Sequence, residues 1–267
     1  MFPTPTLTLI GGPTLLIEFN GLRLLTDPTF DLPGDYEAGP VHLHKTTPPA
    51  AAPCDLLPID AVLLSHDQHF DNLDRTGRAF LPSAGVTLTT PIAARRLGGN
   101  AHALTPWETT TIGSGDERLF ITSTPARHGP VGIEPISGDV TGFLIGVDQP
   151  GDAIYISGDT VWYEGVAEVA ERFHPRLVVA FAGSAETTRG KFHVTMDTND
   201  VIALVHAFPD AKIVAVHNEG WEHFKESAAD LAQVMRALSL ADRLTPIEKG
   251  QPLAVALDVT ERNLTPA

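Results

Sequence analysis

The chain has 267 residues and a formal charge of −15, from 33 acidic and 18 basic side chains. At this length a chain can bury roughly 70–75% of its unfolded surface, so no disulfide or metal staple is needed for a core, and the single Cys54 allows no intrachain disulfide. The acidic balance repels phosphate backbones and anionic lipid heads, which argues against nucleic acid and membranes as partners and leaves a small-molecule substrate, with or without assembly into a homo-oligomer.

The N-terminus lacks a basic, then apolar leader, and no run reaches the ~18 apolar residues of a membrane span, so the expected location is the cytoplasm. Leu7 to Ile10 reads as a strand leading into Gly11-Gly12-Pro13, and the pair of glycines is explained by a bent first strand. Leu15 to Phe19 and Leu22 to Leu25 flank Asn20-Gly21, a dipeptide suited to the positive φ angles of a tight hairpin turn. Residues 28–58 are rich in Pro, Gly and Thr, without clear periodicity, and read as a long loop lying over a site.

Ala61 to Ser65 is a short apolar run, expected to be a buried strand. Thr90 caps a short helix that starts with Pro91 and is closed by Gly98-Gly99. Leu119 to Ser123, Thr141 to Val147 and Ala153 to Ser157 read as strands, the last two joined by the turn cluster 148–152. A helix over Tyr163 to Phe173, a strand over Leu177 to Phe181, and a helix capped by Asp197 or Thr198 follow. Then come a strand at Lys212 to Val216 and a helix over Ser227 to Leu240, with Leu231, Val234, Met235 and Leu238 facing inward. Leu253 to Leu257 is the last strand. This order suits one domain over residues 1–267, with two sheets packed face to face and helices outside.

The chemistry concentrates after the Ala61 to Ser65 strand, where His66, His69 and the carboxylates Asp67, Asp71 and Asp74 fall within nine residues. Imidazole and carboxylate are ligands for zinc and other first-row divalent ions, and packing alone gives no reason to gather them here. Three more strands end in residues of the same kind, at His128, Asp159 and His217. Strands running the same way deliver such ends to one edge.

The ordered set Ser-His-x-x-His-x-Asp, Arg-His-Gly, Gly-Asp-Thr and strand-end His resembles the metallo-β-lactamase superfamily. Its branch containing ascorbate-6-phosphate lactonase and the N-acyl-phosphatidylethanolamine phospholipase D enzymes is the most similar, and Leu24-Leu25-Thr26-Asp27-Pro28 adds to that likeness. The resemblance implies an αββα four-layer sandwich. It implies that His66, His69 and His128 hold one ion, that Asp71 and His217 hold a second, and that Asp159 bridges the two. One or two zinc ions are expected, with manganese or iron as alternatives. The implied activity is hydrolysis of a lactone, another ester or a phosphorylated metabolite by a metal-held hydroxide, with Asp71 and Asp159 in the catalytic machinery. A phosphodiesterase or phospholipase, and a metal-binding sensor without turnover, are the rival readings.

Two departures from the family pattern stand out. The family spaces its first two histidines two apart and follows its Asp with a further His. Here the spacing is three and Asn72 stands in the last place, offering only a neutral amide oxygen as a ligand. A register with Asp67 as first ligand restores the spacing, while the strand end favours His66.

Other residues have weaker claims. His193 precedes a capped helix and resembles a family histidine near the site, which suggests a substrate-facing or catalytic role. Asp27 could hydrogen-bond a ligand imidazole. His42 and His44 share a strand face, Trp162, Tyr163 and Trp221 could wall a pocket, and Arg127 and Arg189 could meet an anion. Cys54, His102, His174, His206 and His223 receive no role.

Overall fold

The computed structural model describes residues 2–38, 41–186 and 191–257. The chain opens with β1 (Thr6–Gly11), β2 (Thr14–Phe19) and β3 (Leu22–Thr26), an antiparallel meander in which Asn20 and Gly21 take φ of 50° and 80°. A separate hairpin, β4 (Gly34–Ala38) with β5 (Val41–Lys45), comes next. Then follow β6 (Ala61–Leu63), α1 (Arg75–Phe80), β7 (Val86–Thr89), α2 (Pro91–Leu97) and β8 (Ala101–Ala103). The second half contains β9 (Thr109–Ser114), β10 (Glu117–Pro125), α3 (Glu134–Ser137), β11 (Thr141–Gly146), β12 (Ile154–Ile156) and α4 (Glu164–Arg172). It closes with β13 (Leu177–Phe181), α5 (Thr198–Ala207), β14 (Lys212–Val216), α6 (Ala228–Ala237) and β15 (Leu253–Ala254).

One sheet runs β15-β1-β2-β3-β6-β7-β8 and the other β14-β13-β12-β11-β10-β9. Strand alternation divides the side chains between layers. Leu15, Ile17 and Phe19 of β2 meet Leu177, Val179 and Phe181 of β13 in the core between the sheets. Val178 and Ala180 point the other way, onto Val166, Val169, Val201, Leu204, Leu231 and Met235 of α4, α5 and α6. Leu16, Leu25, Val62 and Leu64 pack on Phe80 and Leu81 outside the first sheet. Burial on both faces is why β13 and β14 read as unbroken apolar runs. The result is the expected αββα sandwich. No helix among the described residues is long and apolar enough to cross a membrane.

Helix ends follow local chemistry. Thr90 accepts from the Ala93 amide with Pro91 at the first helical turn, Asp197 accepts from Asp200, and Ser227 forms a reciprocal capping box with Asp230. Asp152 accepts the amides of Val147, Asp148 and Gln149 and closes the β11–β12 turn. Leu238, expected inside, is 50% exposed because α6 ends at Ala237.

Residues 28–58 are more ordered than the expected loop. The β4–β5 hairpin lies across the chain segments that follow β6 and β14. Tyr36 is buried against Phe70 and Trp221, with ring centroids 5.0 and 5.3 Å away. Lys45 is also buried, and its Nζ donates to Asp74 Oδ2 and to the Thr29 carbonyl, both at 3.1 Å. Asp74 in turn caps α1 by accepting the Gly77 amide. Any Cβ at Gly77 would sit 1.8 Å from the Pro28 carbonyl oxygen, so the cap and the start of the hairpin segment are locked together.

Removing one partner of a buried ion pair strands the other charge. Lys45→Met is therefore expected to destabilise the chain by about 3 kcal/mol in urea unfolding. An unchanged midpoint would mean that the Lys45–Asp74 pair does not hold the hairpin.

Candidate metal centre

Four strand ends deliver the site. β10, β12, β13 and β14 run in one sense, and β6 points its C-terminal end at the same edge from the opposing sheet. His66, His69 and Asp71 follow β6, His128 follows β10, Asp159 follows β12 and His217 follows β14. Gly158 reaches this edge at φ +60°, where a Cβ would lie 2.5 Å from the Thr141 carbonyl oxygen, so glycine is required beside Asp159. His217 itself adopts φ 57°, a strained angle for a side chain with a Cβ. Its amide donates to the Gly12 carbonyl at 2.9 Å, and the Gly12 amide donates to Glu219 Oε1 at 2.7 Å. The Gly11-Gly12 bend thus serves to hold the loop after β14.

At the strand ends the ligand-type atoms fall into two groups, and His193, Asp197 and Asp200 form a third beside α5. In the first, His69 Nδ1 lies 2.9 Å from His66 Nε2 and 3.1 Å from His128 Nε2. In the second, His217 Nδ1 is 2.9 Å from Asp159 Oδ1 and His217 Nε2 is 3.5 Å from Asp71 Oδ2. Asp159 joins them, because its Oδ2 is 3.6 Å from His128 Nε2. His66, Asp159 and His217 are fully buried.

The outer ring atoms are tethered. His128 Nδ1 donates to the Val194 carbonyl at 2.7 Å. His66 Nδ1 meets Ser65 Oγ at 2.9 Å, and Ser65 Oγ donates to Asp27 Oδ1 at 2.7 Å. Asp27 thus supports a ligand ring through Ser65 rather than directly, and burial pushes its carboxyl up to about 8 against the pull of Ser65. Both tethers leave the Nε2 lone pairs of His66 and His128 facing inward.

These residues fit a divalent metal. Both oxygens of Asp159 and both ring nitrogens of His217 are buried without a hydrogen-bond partner, although the two groups are in near contact. Burial pushes the His66 imidazole well below its usual range and His69 down to about 4, so both are neutral at physiological pH with lone pairs converging. Burial opposes charge on His217, yet the Asp159 and Asp71 carboxylates raise it to about 10. His223 with His217 at Asp71, and His217 at Asp159, outweigh burial and hold both carboxyls below the usual carboxylate range. A cavity that keeps two carboxylates ionised and three imidazoles crowded together is built for positive charge.

The remaining candidates are distributed around this centre. Asp67 turns away from it: Arg96 Nε donates to Asp67 Oδ1 and Oδ2 at 3.1 and 3.0 Å, and Arg78 Nη2 lies 3.6 Å from Oδ2. The extra residue of the motif is therefore absorbed by the arginine-clamped Asp67, and His66 faces His69 and His128. Asn72 points its Nδ2 toward Ser65 Oγ at 3.5 Å, while its buried Oδ1 has no partner.

His193 joins neither group. Its Nε2 is 3.2 Å from Asp200 Oδ2 and its Nδ1 3.7 Å from Asp197 Oδ2, and the hydrogen bond it donates to Asp200 raises its pKa. The next residue, Val194, holds His128. Arg127 lies over Tyr163, 4.4 Å from the ring centroid, Trp162 packs on the outer core, and Trp221 is buried under Tyr36 and Lys45. His42 and His44 are on the hairpin's outer face and pair with Glu37 and Asp35. Arg189 lies outside the described residues.

His223 is the residue that sequence reasoning missed. Its Nε2 is 2.9 Å from Asp71 Oδ2. It stands seven residues past the β14 end without ligand spacing to any neighbour, and the one available signal was the imidazole missing at Asn72.

Two expectations follow. In the metal-free chain His217 is protonated at neutral pH because its pKa is raised, so an ion entering the Asp71–Asp159–His217 group must displace that proton. Affinity there should rise about tenfold per pH unit between about pH 6 and 8, whereas His69 imposes no such competition. Metal titrations across that range check this, and a flat profile would refute it. His66→Ala should strip an ion, while Asp67→Ala should leave metal content intact and lower only stability. Metal loss in Asp67→Ala would reverse the assignment of the first ligand.

Comparison with known proteins agrees with this architecture. The family described as the β-lactamase superfamily domain matches residues 22–218. The UPF0173 protein YddR of Bacillus subtilis is 24% identical over 254 residues, covering 92% of this chain and 98% of the relative. A UPF0173 metal-dependent hydrolase of Methanoregula boonei is 27% identical over 179 residues, covering 63% and 71%. The crystal structure of isothiocyanate hydrolase from Delia radicum gut bacteria aligns with a TM-score of 0.79 at 26% identity, covering 93% of this chain and 98% of that one. With four strand-end motifs on a four-layer sandwich and a family match over most of its length, the chain belongs to the metallo-β-lactamase superfamily.

Proposed function

We propose that the protein hydrolyses a small organic molecule at an electrophilic carbon, with lactones and other carboxylic esters as the leading substrate class. That it is a metal-dependent hydrolase follows from the family and from its named relatives. The observation that carries the reading is Asp159, a fully buried carboxylate with one oxygen toward each histidine group and no hydrogen bond to either. Divalent ions held there lower the pKa of water toward about 7 and polarise the attacked group. Imidazole suits zinc at His66, His69 and His128, while the oxygens of Asp71 and Asp159 also accommodate manganese or iron.

The chain's own groups divide the remaining work. Ser65 and the Val194 carbonyl fix the ligand rings, and burial excludes bulk water. In this reading His193, whose pKa the Asp200 carboxylate raises, donates a proton to the leaving group.

The choice of carbon over phosphorus rests on the arginines. Arg78 and Arg96 are taken by Asp67, Arg127 stacks on Tyr163 and lies 3.7 Å from Glu164, and Arg75 lies over Tyr36 and Phe70. A phosphoryl substrate would draw on these guanidinium partners, which among the described residues are already engaged. A second reading takes the central carbon of an isothiocyanate as the electrophile, favoured by the similarity to isothiocyanate hydrolase along nearly the whole chain.

Protein purified without added metal should contain about two ions per chain and hydrolyse members of a lactone and isothiocyanate panel, with turnover abolished by chelator. Turnover of phosphodiesters or phospholipids alone would overturn the carbon assignment. Metal without turnover on any of these would favour the sensor. His193→Gln should lower kcat by about 100-fold with metal content unchanged, and an unchanged kcat would remove His193 from the reaction.

A further inference from the structure

We propose that His223 is a direct ligand of the second metal ion, supplying from the segment after β14 the imidazole that the motif after β6 lacks. The inference rests on the reading of the centre as a two-ion site.

The argument begins with Asp71. Two imidazole nitrogens converge on its Oδ2: His223 Nε2 at 2.9 Å and His217 Nε2 at 3.5 Å. One oxygen of Asp71 faces two ring nitrogens, while Asp159 meets the other nitrogen of His217, so Asp71, His217 and His223 together offer one ion a carboxylate and two imidazoles. Asn72 contributes a neutral amide at best, and its nitrogen is turned toward Ser65.

The surroundings of His223 favour a ligand over a surface or packing role. The ring is largely buried, with 16% of the side chain exposed, and it lies between Phe224 and Trp221 at centroid distances of 4.5 and 6.2 Å. Its Nδ1 is buried with no hydrogen-bond partner, so the contact with Asp71 is its polar anchor among the described residues.

The backbone holds this position firmly. The Glu222 amide donates to the His44 carbonyl at 3.0 Å, and the Lys225 amide donates to the Gly183 carbonyl at 2.9 Å. His223 is thus clamped between the β4–β5 hairpin and the end of β13. It comes from the segment after β14 rather than from the segment after β6, which is why no spacing rule within one motif includes it.

The test combines a variant with a spectroscopic measurement on the unaltered protein. His223→Phe preserves the aromatic stack and removes both nitrogens. The wild-type chain should bind two Co²⁺ ions, and His223→Phe should bind the second more weakly by well over the roughly 10–100-fold that loss of an outer hydrogen-bond partner costs. In the Co²⁺-loaded wild type, proton NMR should show a paramagnetically shifted ring N–H for His223, assigned by its selective absence in the variant. Two ions in wild type with undiminished affinity in His223→Phe, or no shifted signal from His223, would overturn the ligand assignment and leave the two-ion reading intact. Fewer than two ions in wild type would overturn both. Thermal melts of the metal-free proteins separate misfolding from ligand loss, and the wild-type spectrum decides the matter if the variant does not fold.

Discussion

A fully buried carboxylate is among the costliest groups a fold can contain, and Asp159 is such a group, offset in the metal-free chain by its pairing with His217 at 2.9 Å. Its environment makes sense only as a receptacle for cations. The imidazoles around it are neutral and crowded on one side, at His66 and His69, and paired with carboxylates on the other, at His217. The strain at His217 and the glycine at 158 are the backbone counterparts of this arrangement. Both place a side chain where an ordinary strand end would not.

The layers around the centre behave as supports for those few atoms. Three parallel strands align Asp159 and His217 at one edge, and strand register fixes their depth. Ring orientation is set separately, by Ser65 for His66 and by the Val194 carbonyl for His128. Position therefore comes from the sheets and direction from single hydrogen bonds. Such a division lets the fold be retained while the reaction changes.

Much of this was legible in sequence. The Asn20-Gly21 turn, the Thr90 and Asp197 caps and the residues after four strand ends are local signals, and local chemistry decides them. The edge strand β9 was missed because Thr109, Thr110 and Thr111 carry no apolar alternation. The β4–β5 hairpin was missed because the face it buries includes Lys45, a charge that the binary pattern assigns to solvent and that only Asp74 makes tolerable. Asp27 was read as a direct partner of a ligand ring, since the role of Ser65 between them depends on a side-chain rotamer. His223 escaped for the deepest reason: its partner Asp71 is 152 residues away in sequence.

The hairpin links these points. Tyr36 touches Phe70, which lies between His69 and Asp71, and it touches Trp221, which lies between His217 and His223. The Thr46 amide donates to the Gly220 carbonyl and the His44 carbonyl accepts from Glu222, so the hairpin binds the second ligand segment by backbone. Lys45 binds the first through Asp74. The two segments come from different sheets and share no strand, so the register of either sheet alone cannot set the distance from Asp71 to His217 and His223. The β4–β5 hairpin supplies that constraint, and the geometry of the Asp71 side of the centre depends on it more directly than on the layers that carry the ligands.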